Sequence, residues 1–180
     1  IRDREVADCL ARAAAAQQEA EEEAYRGTLD EVLGVACAGS VEALAKGRET
    51  CEARKEAVAE RFRPRLDVFK QDLGAVEAVL EKAFGELDRK AQAGEVVALR
   101  YPAGNSERVS YQLAGKLPGA SAGLWVKGPH GGEESLTYAK LDDMDILEQA
   151  QVDFASGDGQ VLAATFFFWR GRLERAYGLF

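Results

Sequence analysis

The hydrophobic period of the chain changes at Gly94, and this change limits the folds open to it. Before Gly94, apolar residues recur at steps of three and four, which places them on one face of an α-helix. After Gly94, short alternating runs are broken by glycine and proline, a pattern typical of strands and turns. We therefore predict a mainly helical α+β fold. It comprises an N-terminal antiparallel helical bundle, a small four-stranded antiparallel sheet or SH3-like barrel, and a C-terminal helical hairpin.

The helical bundle is predicted over residues 1–94, with helices at about residues 2–26, 28–62 and 64–93. Gly27 suits the left-handed position just past a helix end. Thr28 and Glu31 match the capping box that begins a new helix, so a tight turn is expected between the first two helices. Pro64 lacks a backbone N–H and disfavours helical geometry at the preceding residue, so the second helix is expected to end near Phe62.

The third predicted helix carries a seven-residue apolar repeat. Its repeat residues are Leu66, Phe69, Leu73, Val76, Leu80 and Leu87. A seam of this kind packs against another helix, and two interpretations are open. The seam packs on the other two helices within the chain, or it joins two copies into a homo-oligomer through residues 64–93.

A β module is predicted over residues 95–141, followed by a helical segment over residues 142–180. The strands are expected at residues 95–101, 108–113, 123–127 and 135–141. A sheet of this size buries little surface by itself. It therefore needs either closure into a barrel or a helix that covers one face.

A candidate binding surface in the β module consists of Trp125, Lys127, His130 and Glu133. Trp125 alternates with the apolar Leu124 and Val126, so strand geometry turns it to the opposite face and favours its exposure. An exposed indole offers a platform for a sugar or a peptide. His130 is the sole histidine, and the glycines beside it favour an exposed turn over a metal or catalytic site.

Three aspartates precede the predicted helix that follows the β module: Asp142, Asp143 and Asp145. A calcium loop needs a glycine after alternating acids and a closing glutamate, whereas Met144 and Ile146 follow here. The acids are therefore expected to cap the helix and to complement its dipole.

No catalytic, cofactor or metal site is predicted, and we expect the chain not to be an enzyme. The sequence has no G-x-x-x-x-G-K-[ST] phosphate-binding loop, no dinucleotide G-x-G-x-x-G motif and no G-x-S-x-G nucleophile elbow. A zinc site needs three or four ligands, and the half of the chain that holds His130 has no cysteine.

The charge balance argues against nucleic acid and membrane partners. The formal net charge is −8, and affinity for phosphate backbones or anionic lipids requires clustered lysine and arginine. The longest apolar run, residues 161–169, is far shorter than the roughly 20 residues that span a bilayer. We therefore expect no nucleic acid binding and no membrane insertion.

Cys9, Cys37 and Cys51 lie in alanine-rich segments predicted as helix. We expect these three residues to be buried thiols and not partners in disulfides. This expectation favours a cytoplasmic location, because persistent disulfides belong to oxidising compartments.

The C-terminal segment places small and aromatic residues around a glycine turn, at Ala164, Phe167, Gly171, Leu173, Ala176 and Phe180. This arrangement resembles a tetratricopeptide-type helical hairpin, in which such residues of two helices meet across a short turn. A weaker echo of the same pattern covers residues 16–36. The resemblance implies docking of protein partners, and it implies further repeats beyond Phe180 in a larger protein of which this chain is a fragment.

These observations predict a non-catalytic protein–protein interaction or scaffolding region. The alternative is a β module that binds a small ligand or a carbohydrate and is carried on a helical stalk, using the surface around Trp125.

Overall fold

The computed structural model describes residues 2–37, 39–117 and 123–179, with side chains described from residue 7 onward. The chain divides into two compact units, of which the first comprises Ile1–Ala38 and Glu42–Gly74. The second comprises Gly39–Val41 and Ala75–Phe180. The division falls within one long helix, after Gly74.

The helices of the first unit are α1 (Arg2–Ala36), α2 (Val41–Arg54) and the beginning of α3 (Arg63–Gln92). Two short 3-10 turns, Lys55–Ala57 and Glu60–Phe62, connect α2 to α3. Small residues allow these helices to approach closely at Gly47, which is buried in α2. A Cβ atom added at Gly47 would lie 3.0 Å from Ala36 Cβ and 3.2 Å from Leu73 Cδ1.

The predicted turn at Gly27 is wrong, because α1 runs through it without interruption. One glycine costs a helix only about 1 kcal/mol relative to alanine, which a long alanine-rich helix tolerates. Thr28 does not cap a new helix. Its hydroxyl donates to the carbonyl of Ala24 at 3.0 Å, the back-bonding typical of threonine inside a helix. The chain instead turns near Gly39, which has a φ of 60°.

Replacing Gly27 by alanine is expected to raise the free energy of unfolding by about 0.5–1 kcal/mol, because alanine is the better helix former. An added Cβ at Gly27 meets nothing within 4 Å. Gly39→Ala is the matched control, and it should lower the free energy of unfolding because its positive φ disfavours a side chain. Urea unfolding measures both changes, and a loss of stability in Gly27→Ala would argue for a turn at Gly27.

The second predicted helix is also shorter than expected, since α2 ends at Arg54. Val58 is extended, with φ −98° and ψ 141°, and its buried side chain fixes the connection. Pro64 is the second residue of α3, where a missing N–H loses nothing because the first amides of a helix have no intrahelical acceptor. α3 covers the third predicted helix almost residue for residue.

The seam of α3 is largely buried within the chain. Five of its residues are at most 1% exposed: Leu66, Leu73, Val76, Leu80 and Leu87. Phe69 is half-buried. This burial favours packing of the seam within the chain. Self-association through residues 64–93 stays a prediction, and it would have to use the residues of α3 that remain exposed.

The sheet of the second unit is four-stranded, antiparallel and open, with strand order β1-β2-β3-β4. Its strands are β1 (Val96–Leu99), β2 (Val109–Lys116), β3 (Gly123–Lys127) and β4 (Glu133–Thr137). Alternate residues face the core, as predicted: Val97, Leu99, Tyr111, Leu113, Leu124, Val126 and Leu136. A short 3-10 turn, Tyr138–Lys140, follows β4.

The described part of the sheet is open and does not close into the SH3-like barrel that was the alternative prediction. The phenol of Tyr101 lies along the outer edge of β4 instead. It accepts a hydrogen bond from the amide of Thr137 at 3.3 Å and donates to the carbonyl of Ser135 at 3.4 Å. The Tyr101 side chain thus forms hydrogen bonds with backbone groups of β4 that would pair with another strand if the sheet closed into a barrel.

The C-terminal helices of the second unit are α4 (Asp143–Gln149), α5 (Gly157–Trp169) and α6 (Leu173–Tyr177). Asp142 and Ser156 cap α4 and α5, with side chains that accept hydrogen bonds from the amides of Met144 and Gly159. The Phe84 ring of α3 stacks on Tyr138 with ring centroids 4.3 Å apart, so the second half of α3 contacts the sheet module.

Candidate functional site

Three of the four predicted binding-surface residues share the exposed face of the sheet. Trp125 is 44% exposed, in agreement with the strand alternation, and Lys127 follows it on the same face. Glu133 on β4 is directly opposite Lys127. Gln112 and the exposed Val96 extend the same row across β2 and β1. The open face therefore combines an indole, a cation, an anion and an amide.

His130 lies apart from that row, in the turn between β3 and β4. Gly131 has a φ of 78° and donates its amide to the carbonyl of Gly128 at 2.9 Å, which forms the tight turn. The amide of Gly128 in turn donates to the carbonyl of Gly132 at 3.0 Å. His130 is exposed at the tip of this turn, as the glycine pattern predicts.

The acidic segment after the sheet forms a buried ion-pair network that the sequence did not predict. Asp145 is 1% exposed and accepts from the backbone amide of Arg100 at 2.5 Å and from its guanidinium at 2.8 Å. The guanidinium of Arg108 lies 3.0 Å from Asp145 and also pairs with the exposed Glu148. A buried carboxylate is stable only when such donors surround it.

A second buried pair joins the beginning of α4 to the end of α5. Asp143, 4% exposed, accepts from Arg170 at 2.9 Å and from Arg172 at 3.0 Å. Arg170 also donates to the carbonyl of Gly39 at 3.0 Å. Of the three aspartates, only Asp142 serves as the helix N-cap that the sequence predicted. Asp143 and Asp145 form ion pairs with arginines that are distant in sequence, and no local sequence pattern predicts such pairs.

The predicted C-terminal hairpin residues lie on both sides of a glycine turn. Ala164, Phe167 and Ala176 are buried, and Gly171 has a φ of 71° between α5 and α6. Leu173 is 48% exposed. Phe180 lies outside the described residues. The likeness to a tetratricopeptide-type hairpin stays a prediction, and the short α6, Leu173–Tyr177, is the part that departs most from a full helix pair.

Exposed apolar side chains are concentrated on this hairpin. Val161 and Phe168 of α5 are 54% and 43% exposed. They are two helical turns apart and so lie on one side of the helix. Tyr177 of α6 is 75% exposed, and Leu173 is one turn before it. Of these four residues, only Leu173 belongs to the predicted hairpin pattern, and the sequence did not predict the exposure of any of them.

The buried phenol of Tyr138 serves as a structural hydrogen-bond donor. Tyr138 donates to Asp88 at 2.5 Å, and burial together with this bond raises the pKa of the phenol far above its usual range. Lys116 pairs with the other oxygen of Asp88 at 2.9 Å. At neutral pH the phenol therefore keeps its proton and acts as a hydrogen-bond donor.

Two of the three cysteines differ from the prediction. Cys9 and Cys37 are exposed, and only Cys51 is buried. Burial raises the pKa of the Cys51 thiol, which makes it less reactive at neutral pH. Cys9 lies in a stretch of α1, residues 7–20, in which every side chain is exposed, and Cys37 follows the last residue of that helix. Helical spacing alone therefore did not predict the exposure of these two thiols.

No protein-family model, curated protein or solved structure matches this chain. Within the described residues, no group of three or more histidine, cysteine, aspartate or glutamate side chains is placed to hold a metal ion. Among the helices of the same residues, none combines the length and the apolar character needed to cross a bilayer.

Proposed function

We propose that the chain is a non-catalytic protein-interaction region that binds a partner protein through the outer side of α5 and α6. The main observation in support is that α5 is apolar on nearly every side. Its buried residues are Gly159, Ala163, Ala164, Phe166, Phe167 and Trp169. A helix that is apolar all round is normally covered on all sides, yet Val161 and Phe168 remain exposed.

The adjacent α6 adds two more exposed apolar side chains. Leu173 and Tyr177 are one helical turn apart and are 48% and 75% exposed. Exposed aromatic side chains such as Phe168 and Tyr177 are typical of interface cores, since Phe and Tyr bury large areas with few rotatable bonds. The resemblance to a partner-docking helical hairpin supports the same function.

A double variant, Phe168→Ser with Tyr177→Ser, tests this proposal. Each truncation removes about 1.5–3 kcal/mol of apolar burial in a complex, so a partner should bind the variant at least tenfold more weakly. Leu10→Ser is the matched control, because Leu10 is an exposed apolar residue of α1 at 66%. Affinity capture followed by calorimetry on the captured partner gives the comparison. Equal binding by the double variant and the control would contradict the proposal.

The second candidate function is ligand binding by the sheet, and the shared face of Trp125, Lys127 and Glu133 favours it. The chain has two tryptophans, and Trp169 is 2% exposed. A ligand on the sheet should therefore change the fluorescence of Trp125 alone. Titration with short peptides and oligosaccharides should give a saturable change that Trp125→Phe abolishes and Val68→Ala, an exposed substitution on α3, retains. A response that persists in Trp125→Phe would exclude this face.

A cytoplasmic location is part of the proposal. Cys9 and Cys37 are exposed free thiols, and such thiols persist in reducing compartments. Binding to nucleic acid stays outside the proposed function because of the net charge of −8.

A further inference from the structure

A cavity of about 480 Å³ in the first unit combines arginines with aromatic rings. Its lining residues are Glu22, Tyr25, Arg26, Arg61, Phe62 and Arg65. Three arginines against one glutamate give this lining a formal charge of +2, whereas the whole chain carries −8. The cavity is therefore a local exception to the charge of the chain.

The floor of the cavity consists of two stacked aromatic rings. Tyr25 and Phe62 are each 8% exposed and stack with ring centroids 4.6 Å apart and an interplanar angle of 5°. The guanidinium carbon of Arg61 lies 4.6 Å from the Phe62 centroid, a cation–π contact. Arg61 is also 3.2 Å from Glu21 and 3.9 Å from Glu22. The charge of Arg61 is thus already balanced by carboxylates of α1.

Arg26 and Arg65 remain available on the same cavity. Both are exposed, and neither has a carboxylate within ion-pair distance among the residues whose side chains the structure describes. Arg65 is held beside the floor, with its guanidinium carbon 5.7 Å from the Phe62 centroid. Burial raises the pKa of Tyr25, and the charge of Arg65 opposes that rise, so this charge acts on the cavity wall.

We propose that Arg26 and Arg65 bind a phosphoryl group carried on a phosphorylated side chain of a protein partner, with Tyr25 and Phe62 as the floor. The site is on the first unit and shares no residue with the α5–α6 surface.

A phosphoryl group suits this cavity better than a carboxylate. Each guanidinium offers five N–H donors, and a phosphate monoester has three acceptor oxygens and a charge of about −1.5 to −2. It therefore offers the two arginines one more acceptor oxygen and a larger charge than a carboxylate does. The volume of about 480 Å³ leaves room for the side chain that carries the phosphate. A nucleic acid is disfavoured, because its backbone needs a long track of cations and the cavity offers two free ones.

Calorimetry with a phosphotyrosine peptide tests the site, with the unphosphorylated peptide, inorganic phosphate and a single-stranded oligonucleotide as the other arms. The phosphopeptide is expected to bind, and Arg65→Gln and Arg26→Gln should each weaken it about tenfold or more. Arg12→Gln is the matched control, since Arg12 is an exposed arginine of α1 away from the cavity. Both cavity variants change exposed residues, so circular dichroism should show an unchanged fold.

Three results would overturn the proposal. The first is no phosphopeptide binding at ligand concentrations of about 1 mM, which corresponds to a free energy of about −4 kcal/mol. The second is equal affinity for the phosphorylated and unphosphorylated peptides. The third is tighter binding of inorganic phosphate or of the oligonucleotide than of the phosphopeptide. Because Phe168→Ser with Tyr177→Ser should leave phosphopeptide affinity unchanged, failure here is distinguishable from failure of the α5–α6 surface.

Discussion

Gly159→Ala is expected to lower the free energy of unfolding by about 3 kcal/mol, at the upper end of the cost of overfilling a packed site. A Cβ atom added at Gly159 would lie 1.9 Å from the carbonyl oxygen of Asp153 and 2.9 Å from the hydroxyl of Ser156. The first of these neighbours is backbone, which cannot move aside as a flexible side chain can. The substitution must therefore displace the loop that precedes α5.

The same substitution also weakens the cap of α5. Ser156 accepts from the amide of Gly159 at 3.0 Å and donates to the carbonyl of Asp153 at 2.9 Å, so one displacement strains both bonds. Gly157→Ala is the matched control, because an added Cβ there meets nothing within 4 Å. It should change stability by less than about 0.5 kcal/mol. The midpoints of urea unfolding compare the two variants. Equal midpoints for Gly159→Ala and Gly157→Ala would contradict the close packing at Gly159.

Asp145→Asn is expected to cost about 3 kcal/mol, because it removes the charge that Arg100 and Arg108 share while it leaves the shape of the side chain unchanged. The amide would also turn an N–H₂ group toward one of the donors that now bind Asp145. The loss should be large because Asp145 is 1% exposed and solvent cannot replace its partners.

Glu148→Gln is the control on the same helix. Glu148 pairs with the same Arg108, but its side chain is 55% exposed, and such pairs contribute about 0–1 kcal/mol. Thermal unfolding of the two variants should therefore separate them clearly. If Glu148→Gln were as damaging as Asp145→Asn, the stabilisation would come from Arg108 and not from the buried carboxylate.

The fold class follows from the sequence because it depends on local periodicity. The change at Gly94 coincides with the end of α3 at Gln92 and the beginning of β1 at Val96. Pro64 is correctly associated with the beginning of a helix. In both places the signal is a pattern of neighbouring residues, which no distant contact has to complete.

The errors arise where a local signal competes with its surroundings. Gly27 and Thr28 match a turn and a cap, yet the alanine-rich flanks keep α1 helical through both. Val58 and Phe62 match the helical spacing, yet their burial with Tyr25 and Leu66 in one cluster favours an irregular connection. A propensity near 1 kcal/mol is easily outweighed by the burial of one such side chain.

In the candidate surfaces too, local patterns predict some features, and contacts distant in sequence decide the others. Strand alternation predicts the exposure of Trp125, and it places Lys127 on the same face. The pairing of Lys127 with Glu133 across β3 and β4 depends on register, which the turn around His130 sets. The partners of Asp145 and Asp143 lie more than twenty residues away in the sequence. Such pairs are decided only when the elements pack, so no motif reveals them.

The contacts of Arg170 limit where the chain can be truncated for experiments. Its guanidinium joins Asp143 to the carbonyl of Gly39, and Gly39–Val41 belong to the same unit as Ala75–Phe180. That unit is discontinuous along the polypeptide. A truncated protein that starts at Ala75 would leave this half-buried cation without one of its acceptors, so a shortened version should keep residues 39–41 or join them by a linker.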